Sequence, residues 1–253
     1  MILSNIVSTI LQVISRPQIL LPVIGFLIAC EALLLVTGIM IDRPVIDLYL
    51  YADSIPNDNL IGYFLFTYPV EVIFALILSA LMLVLSTVSM FSVARMAKNE
   101  SLIEAINDSM LEAQKAIGLA VLIGCALVIG GFALSLISSL AQINSEIGTL
   151  FALILLVLVF VVIVKTIFVI PALVENDLKK AFKKSWQFTD KRFWKTIVYV
   201  VIAFAISASV GSLLGYAGFL LGEIPEVILT ILGQAFNIAF FTAAITNYFY
   251  SKQ

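Results

Sequence analysis

Three ionisable side chains, Glu31, Glu71 and Lys165, sit inside long apolar runs of this 253-residue chain. An ionisable group at the middle of a hydrocarbon layer costs about 2.5 to 3.5 kcal/mol on insertion scales, so it usually faces protein or water and finds a partner. Glu31 falls near the middle of the first run, Glu71 near the outer end of the second and Lys165 in the inner third of the fourth. The chemistry open to such a set is proton or cation transfer. Glu31 is expected to face the interior and either pair with Lys165 or take up a proton or cation. Each residue also has a plainer role: Lys165 can extend to the inner interface, Glu71 can be solvated at the outer one, and Glu31 can stand protonated and hydrogen-bonded.

Other chemistry finds no residues to carry it. The chain has no His, which excludes a Ser/His pair, a His-Glu-x-x-His zinc site and a His-ligated haem. No Asp lies deep in an apolar run. Gly130-Gly131 and Gly148 lack the Lys-Ser/Thr that completes a phosphate-cradling loop. Cys30 and Cys125 are the only cysteines and both fall in apolar runs, where they read as small packing residues rather than a disulfide or metal pair. Leu27-Ile28-Ala29-Cys30 looks like a lipobox, but Glu31 and a further apolar run follow it, and a single basic residue, Arg16, precedes it. No catalytic site, metal, cofactor or nucleic-acid partner is expected.

The elements that must position these residues are membrane spans. Hydrophobic residues make up 62% of the chain and charged ones 12%, whereas soluble domains are about 45–50% apolar. A span needs roughly 20 mostly apolar residues, and six runs qualify: 20–41, 69–93, 117–140, 150–174, 196–220 and 227–250. Residues 60–68 read as an interfacial approach, with Pro69 opening the second span.

Charge orients the spans. The connections 42–59, 141–148 and 222–226 hold Arg43 as their only basic residue against seven acidic ones. Arg16, Arg95, Lys98, Lys115, Lys252 and the basic residues of 175–195 lie on the other side. Basic residues near span ends stay in the cytoplasm, so both termini are expected there. The net charge of −2 is a sum over two faces of opposite sign and says nothing about partners.

With one inserted residue the segments beginning at Lys98 and Glu175 align: Lys98-Asn99-Glu100-Ser101-Leu102-Ile103-Glu104-Ala105-Ile106-Asn107-Asp108-Ser109 beside Glu175-Asn176-Asp177-Leu178-Lys179-Lys180-Ala181-Phe182-Lys183-Lys184-Ser185. Each follows a span and reads as an Asn/acidic cap and a short amphipathic helix before the next span. At the N-terminus Ile2, Leu3, Ile6, Ile10, Val13 and Ile14 form an apolar face opposite Ser4, Asn5, Ser8, Gln12 and Ser15. The unit is then an interfacial helix plus a transmembrane hairpin, three times over (1–97, 98–174, 175–253) in a single membrane domain. Apolar segments can also resemble one another by chance.

The third amphipathic helix is the strongest surface feature. Leu178, Ala181, Phe182 and Trp186 are expected on one face and Lys179, Lys180, Lys183 and Lys184 on the other, with Lys191, Arg192, Trp194 and Lys195 following. Seven basic against three acidic residues give 175–195 a net charge of +4. Each Lys or Arg near an anionic leaflet is worth about 1 kcal/mol, which makes lipid headgroups the default partner and the two tryptophans interface anchors. The same charges would equally follow from positive-inside topology alone. Gly211, Gly215, Gly218 and Gly222 recur at helical spacing on the fifth span, where another backbone can approach closely. The fifth helix is therefore expected inside the bundle and the fourth, almost without small residues, against lipid. A glycine face left on lipid would mark an oligomer interface.

The run Phe168-Val169-Ile170-Pro171-Ala172-Leu173-Val174-Glu175-Asn176, then Ala181-Phe182-Lys183-Lys184-Ser185-Trp186 and Arg192-Phe193-Trp194, resembles the hallmark of a group of six-span proteins similar to the membrane domain of glycerophosphoryl diester phosphodiesterase. Arg16-Pro17-Gln18-Ile19-Leu20-Leu21-Pro22 also resembles that group's N-terminal approach. These stretches carry no catalytic residues. The resemblance implies the six-span fold, and since the group's name derives from a separate phosphodiesterase domain absent from this sequence, it implies no hydrolase activity.

The expected protein is an all-α, six-span bundle in the cell membrane. Its expected role is that of a non-enzymatic scaffold or accessory subunit whose cytoplasmic basic helices contact anionic lipid or a protein partner, with other membrane subunits or a second copy as further partners. The competing reading is a small transporter or channel that uses Glu31.

Overall fold

The computed structural model describes residues 2–35, 67–143 and 145–252, and every regular element among them is helical. Helix α1, Ile2–Ser15, is followed by a 3-10 turn, Pro17–Leu20, that continues into α2, residues 21–35. Then come α3, Pro69–Ala97, α4, Leu102–Leu111, and α5, Ala113–Ile143. Helices α6, Ser145–Thr166, α7, Val169–Leu173, α8, Leu178–Asp190, α9, Phe193–Leu221, and α10, Glu223–Tyr250, complete the order. Six stretches are long and apolar enough to cross a membrane, so this is a multi-pass membrane protein. The far end of the first span, the expected connection 42–59 and most of the approach 60–68 lie outside the described residues.

Two expected connections are shorter in the structure. Only residue 144 separates α5 from α6, and Gly222, with φ of 105°, turns α9 into α10. Glu146, Glu223 and Glu226, read above as loop charges, occupy first helical turns. Carboxylates are stabilised there by the positive end of the helix dipole, so they mark helix starts. The expected fourth span also breaks after Thr166. Pro171 has no N–H to donate to the carbonyl of Ile167 and its ring crowds that carbonyl, which a continuous helix does not tolerate.

The sixth span, not the fifth, is the innermost. In its most apolar stretch 44% of residues are buried, against 17% for the fifth and 11% for the fourth. The expectation rested on the small residues of the fifth helix, but α10 carries its own series, Gly233, Ala235, Ala239, Ala243 and Ala244, all buried. Helix α10 packs along α9 and also meets α1, α3 and α7. Large apolar side chains of α6 such as Leu153, Leu156 and Ile163 are exposed, as a lipid-facing helix requires.

Glycine decides how close α9 and α10 come. A Cβ on Gly211 would lie 2.9 Å from the Gly233 carbonyl oxygen, and one on Gly233 would lie 2.6 Å from the Gly211 carbonyl oxygen. A Cβ on Gly218 would meet Glu226 Cα at 2.8 Å. Gly215 has ordinary room, with Thr230 Oγ1 at 3.9 Å, and Gly222 serves the turn. The glycine face is thus taken up within the chain by the sixth span.

Candidate functional site

Polar chemistry gathers at one end of the bundle, where α1, α4 and α8 lie across the span termini. Each helix is fixed by side chains that close backbone groups left open where a span stops. Asn99, in the left-handed region at φ of 78°, follows the end of α3, and Ser101 then caps α4 with a reciprocal Ser101/Glu104 capping box. Asn176 donates to the Ala172 carbonyl at 2.7 Å. Both asparagines therefore close the preceding helix, whereas the sequence pattern suggested that they open the next one.

Helix α8 sits over the break in the fourth span. Its buried face is Ala181, Ser185 and Thr189, flanked by half-buried Leu178, Phe182 and Phe188. Ser185 donates to the Lys165 carbonyl at 2.7 Å, satisfying an acceptor near the end of α6. The Lys165 ammonium is ion-paired with Asp190 and lies 5.0 Å from the Trp186 ring centroid. The expected Glu31–Lys165 pair is therefore not formed. Glu31 is exposed and among the described residues has no ion-pair partner; Glu71 is half-buried in the first turn of α3.

Anchored in this way, α8 turns its charges outward. Lys179, Lys180, Lys183 and Lys184 are exposed, as are Lys191 and Lys195. Trp186 and Trp194 are 44% and 76% exposed, so Trp186 is not part of the inward face on which the sequence pattern placed it. Arg192 behaves differently. It donates to the Lys252 carbonyl at 3.3 Å and its guanidinium stands 5.1 Å from the Phe188 centroid. Its Nη1 is occluded and has no hydrogen-bond partner among the described residues.

A second charged group, on α3 and α4, was not singled out from the sequence. Arg95, 7% exposed, pairs with Glu112 at 2.6 Å, Asp108 at 3.2 Å and Glu100 at 3.5 Å, and stands 5.1 Å from the Phe91 centroid. Asp108 and Glu112 are four residues apart, a spacing that puts two carboxylates on one helical face and could have pointed to a facing cation. Lys98 pairs with Glu175 and lies 4.5 Å from the Tyr250 centroid, while the Tyr250 hydroxyl donates to the Pro171 carbonyl at 2.8 Å. Asn247 of α10 donates to Thr9 at 3.0 Å and Gln12 at 2.7 Å, and Gln12 donates to the Ala97 carbonyl at 3.0 Å. These links tie α1, α3, α7 and α10 together at this end. They bury Thr9 and half-bury Gln12 against protein beside Ile6 and Val13, whereas Ser4, Ser8 and Ser15 are exposed, as are Leu3, Val7, Leu11 and Ile14 at helical spacing.

Among the described residues a half-open cavity of about 770 Å³ lies between α3, α5, α6, α7, α9 and α10, with Phe182 of α8 also on its wall. Its wall is apolar apart from Thr166, Asn237 and Thr242, and Glu31 is not part of it. Among the described residues no group of His, Cys, Asp and Glu is arranged to hold a metal ion.

Residues 136–252 match the family model of the membrane domain of glycerophosphoryl diester phosphodiesterase. The matched stretch is just under half of the chain and takes in α6 to α10, including the basic helix and the glycine contact. No curated protein and no solved structure matches the chain.

Proposed function

We propose that this multi-pass protein, similar over residues 136–252 to a membrane domain, is a non-enzymatic scaffold or accessory subunit that rests its basic helix α8 on the anionic cytoplasmic leaflet. One observation carries the reading. Helix α8 is fixed to the bundle by Ala181, Ser185, Thr189 and the Lys165–Asp190 pair, so that its outward face is a fixed array of lysines flanked by exposed tryptophans. Fixing the helix removes the ordering cost a free basic segment would meet on binding. Each Lys near an anionic leaflet is worth about 1 kcal/mol, and exposed Trp suits the headgroup level.

The charge asymmetry of the connections supports cytoplasmic termini and a cytoplasmic α1/α4/α8 end. The order of interfacial helix and hairpin supports three copies of one unit, with α1 the most divergent. The exposed stripe of Leu3, Val7, Leu11 and Ile14 on α1 suits the same interface. Further subunits or a second copy remain the protein partners of this reading. Glu31, outside the cavity wall, has no observation that favours transport.

Native purification with identification of retained lipids and proteins tests the proposal. Anionic lipid should be enriched over its share of the source membrane, and the K179Q/K180Q/K183Q variant should reduce that enrichment while folding normally. Retained lipid of bulk composition in the unaltered protein would overturn it.

A further inference from the structure

Beside the outward lysines of α8 lies a smaller cavity of about 280 Å³, lined by Lys184, Gln187, Phe188, Lys191, Arg192, Phe249 and Lys252. Four of its seven lining residues are cationic and none is acidic. The nearest carboxylate in sequence, Asp190, is engaged by Lys165. Four cations around so small a volume repel one another unless an anion enters. Arg192 is also the N-cap of α9, so the positive end of a long helix dipole adds to the same field.

The state of Arg192 points the same way. One terminal nitrogen is held by the Lys252 carbonyl and the guanidinium plane is held against Phe188. The other terminal nitrogen, Nη1, is cut off from water and has no acceptor among the described residues. The guanidinium charge is therefore offset only by one carbonyl and a ring face, and it adds to the positive field at the cavity. The cavity is also at headgroup level: it lies where α9 starts and α10 ends, and the neighbouring Trp194 is 76% exposed.

We propose that this cavity binds a phosphate monoester dianion, with Lys184, Lys191 and Lys252 as its direct partners and the Arg192 guanidinium adding positive charge at its base. A doubly charged monoester is matched to four cations and no carboxylate, whereas a phosphodiester carries one charge. The ligand is either a lipid headgroup of the phosphatidic acid type or a free phosphate ester. The inference rests on the reading of α8 as a lipid-facing helix but adds residues beyond that helix: Lys191 and Arg192 follow it and Lys252 follows α10, while Lys184 is shared, and Lys179, Lys180 and Lys183 do not line the cavity.

The test is native mass spectrometry of the full chain with phosphatidic acid and with phosphatidylglycerol at equal mole fraction. Phosphatidic acid should bind about 10-fold more tightly, the worth of one extra charge-assisted hydrogen bond. The K184Q/K191Q/K252Q variant, which leaves Arg192 and its contact with the main chain in place, should abolish the preference, and K179Q/K180Q/K183Q should keep it. Displacement of phosphatidic acid by millimolar inorganic phosphate would identify the site as open to free phosphate, and its absence would identify the lipid as ligand; both support monoester chemistry. Equal affinity for the two lipids, or equal loss in both lysine variants, would overturn the proposal. Loss of lipid enrichment only in K179Q/K180Q/K183Q, with no monoester preference in any form, would reject the cavity and leave the scaffold reading standing.

Discussion

Lys165, at the end of the fourth span, is ion-paired with Asp190, the last residue of the basic helix α8. The pair joins a charge that must leave the apolar layer to the helix that covers the break in that span. The Lys165 side chain is 12% exposed and that of Asp190 50%, so the pair stands at the boundary between protein and water. It gives Lys165 a structural reason to lie in an apolar run.

Removing that partner should loosen α8. Asp190→Asn leaves a mostly buried ammonium without its counter-charge, which should cost about 1 to 3 kcal/mol. The detergent-solubilised variant is expected to unfold at lower temperature and to be cut faster by trypsin at Lys191. Lys180→Gln, at an exposed position on the same helix, should change neither. Equal unfolding temperatures for Asp190→Asn and the unaltered protein would show that the pair does not hold α8.

The two glycines that face each other across α9 and α10 should tolerate no side chain. Gly233→Ala places a methyl 2.6 Å from a backbone oxygen, so the helices must separate, at about 1 to 3 kcal/mol. Gly130→Ala meets nothing within 4 Å and should stabilise α5 by about 0.5 to 1 kcal/mol through helix propensity. Thermal unfolding of the two variants should therefore shift in opposite directions. A neutral Gly233→Ala would mean that α9 and α10 do not approach this closely.

Acid should weaken α4. The Glu104 carboxylate accepts from the Ser101 hydroxyl at 2.8 Å and from the Ser101 backbone N–H at 3.1 Å. These bonds, the hydroxyl's first, hold its pKa below the ordinary carboxylate value. A folded pKa below the unfolded one means that the stabilisation is fully present above the unfolded value and is lost as pH falls through the folded one. Amide exchange in α4, corrected for intrinsic rates, should quicken on acidification. Glu104→Gln should exchange faster at neutral pH and respond less to acid. An unchanged acid response in the variant would remove Glu104 from this account.

Much of this fold was readable because a hydrocarbon layer leaves the backbone so few choices. Six apolar runs gave six spans, and Lys179 to Lys184 marked α8 by their helical spacing alone. What stayed hidden depended on contacts between segments far apart in sequence. Nothing local tells that Lys165 meets Asp190 rather than Glu31, or that Gly211 needs Gly233. Helix ends misled for a different reason: Glu146, Glu223 and Glu226 look like loop charges in a hydropathy reading, yet the helix dipole favours them in first turns. The Ser101/Glu104 capping box is legible from its three-residue spacing.

Trp186 and Trp194 are the chain's two tryptophans, and both flank the basic face, which makes intrinsic fluorescence the most direct probe of the central claim. The full chain is reconstituted in mixed bilayers in which either the anionic or the neutral lipid carries bromine, at equal mole fraction. If α8 gathers anionic headgroups, brominated anionic lipid quenches the tryptophans more strongly than brominated neutral lipid. That difference disappears in K179Q/K180Q/K183Q/K184Q. Equal quenching by the two lipids in the unaltered protein would contradict the account.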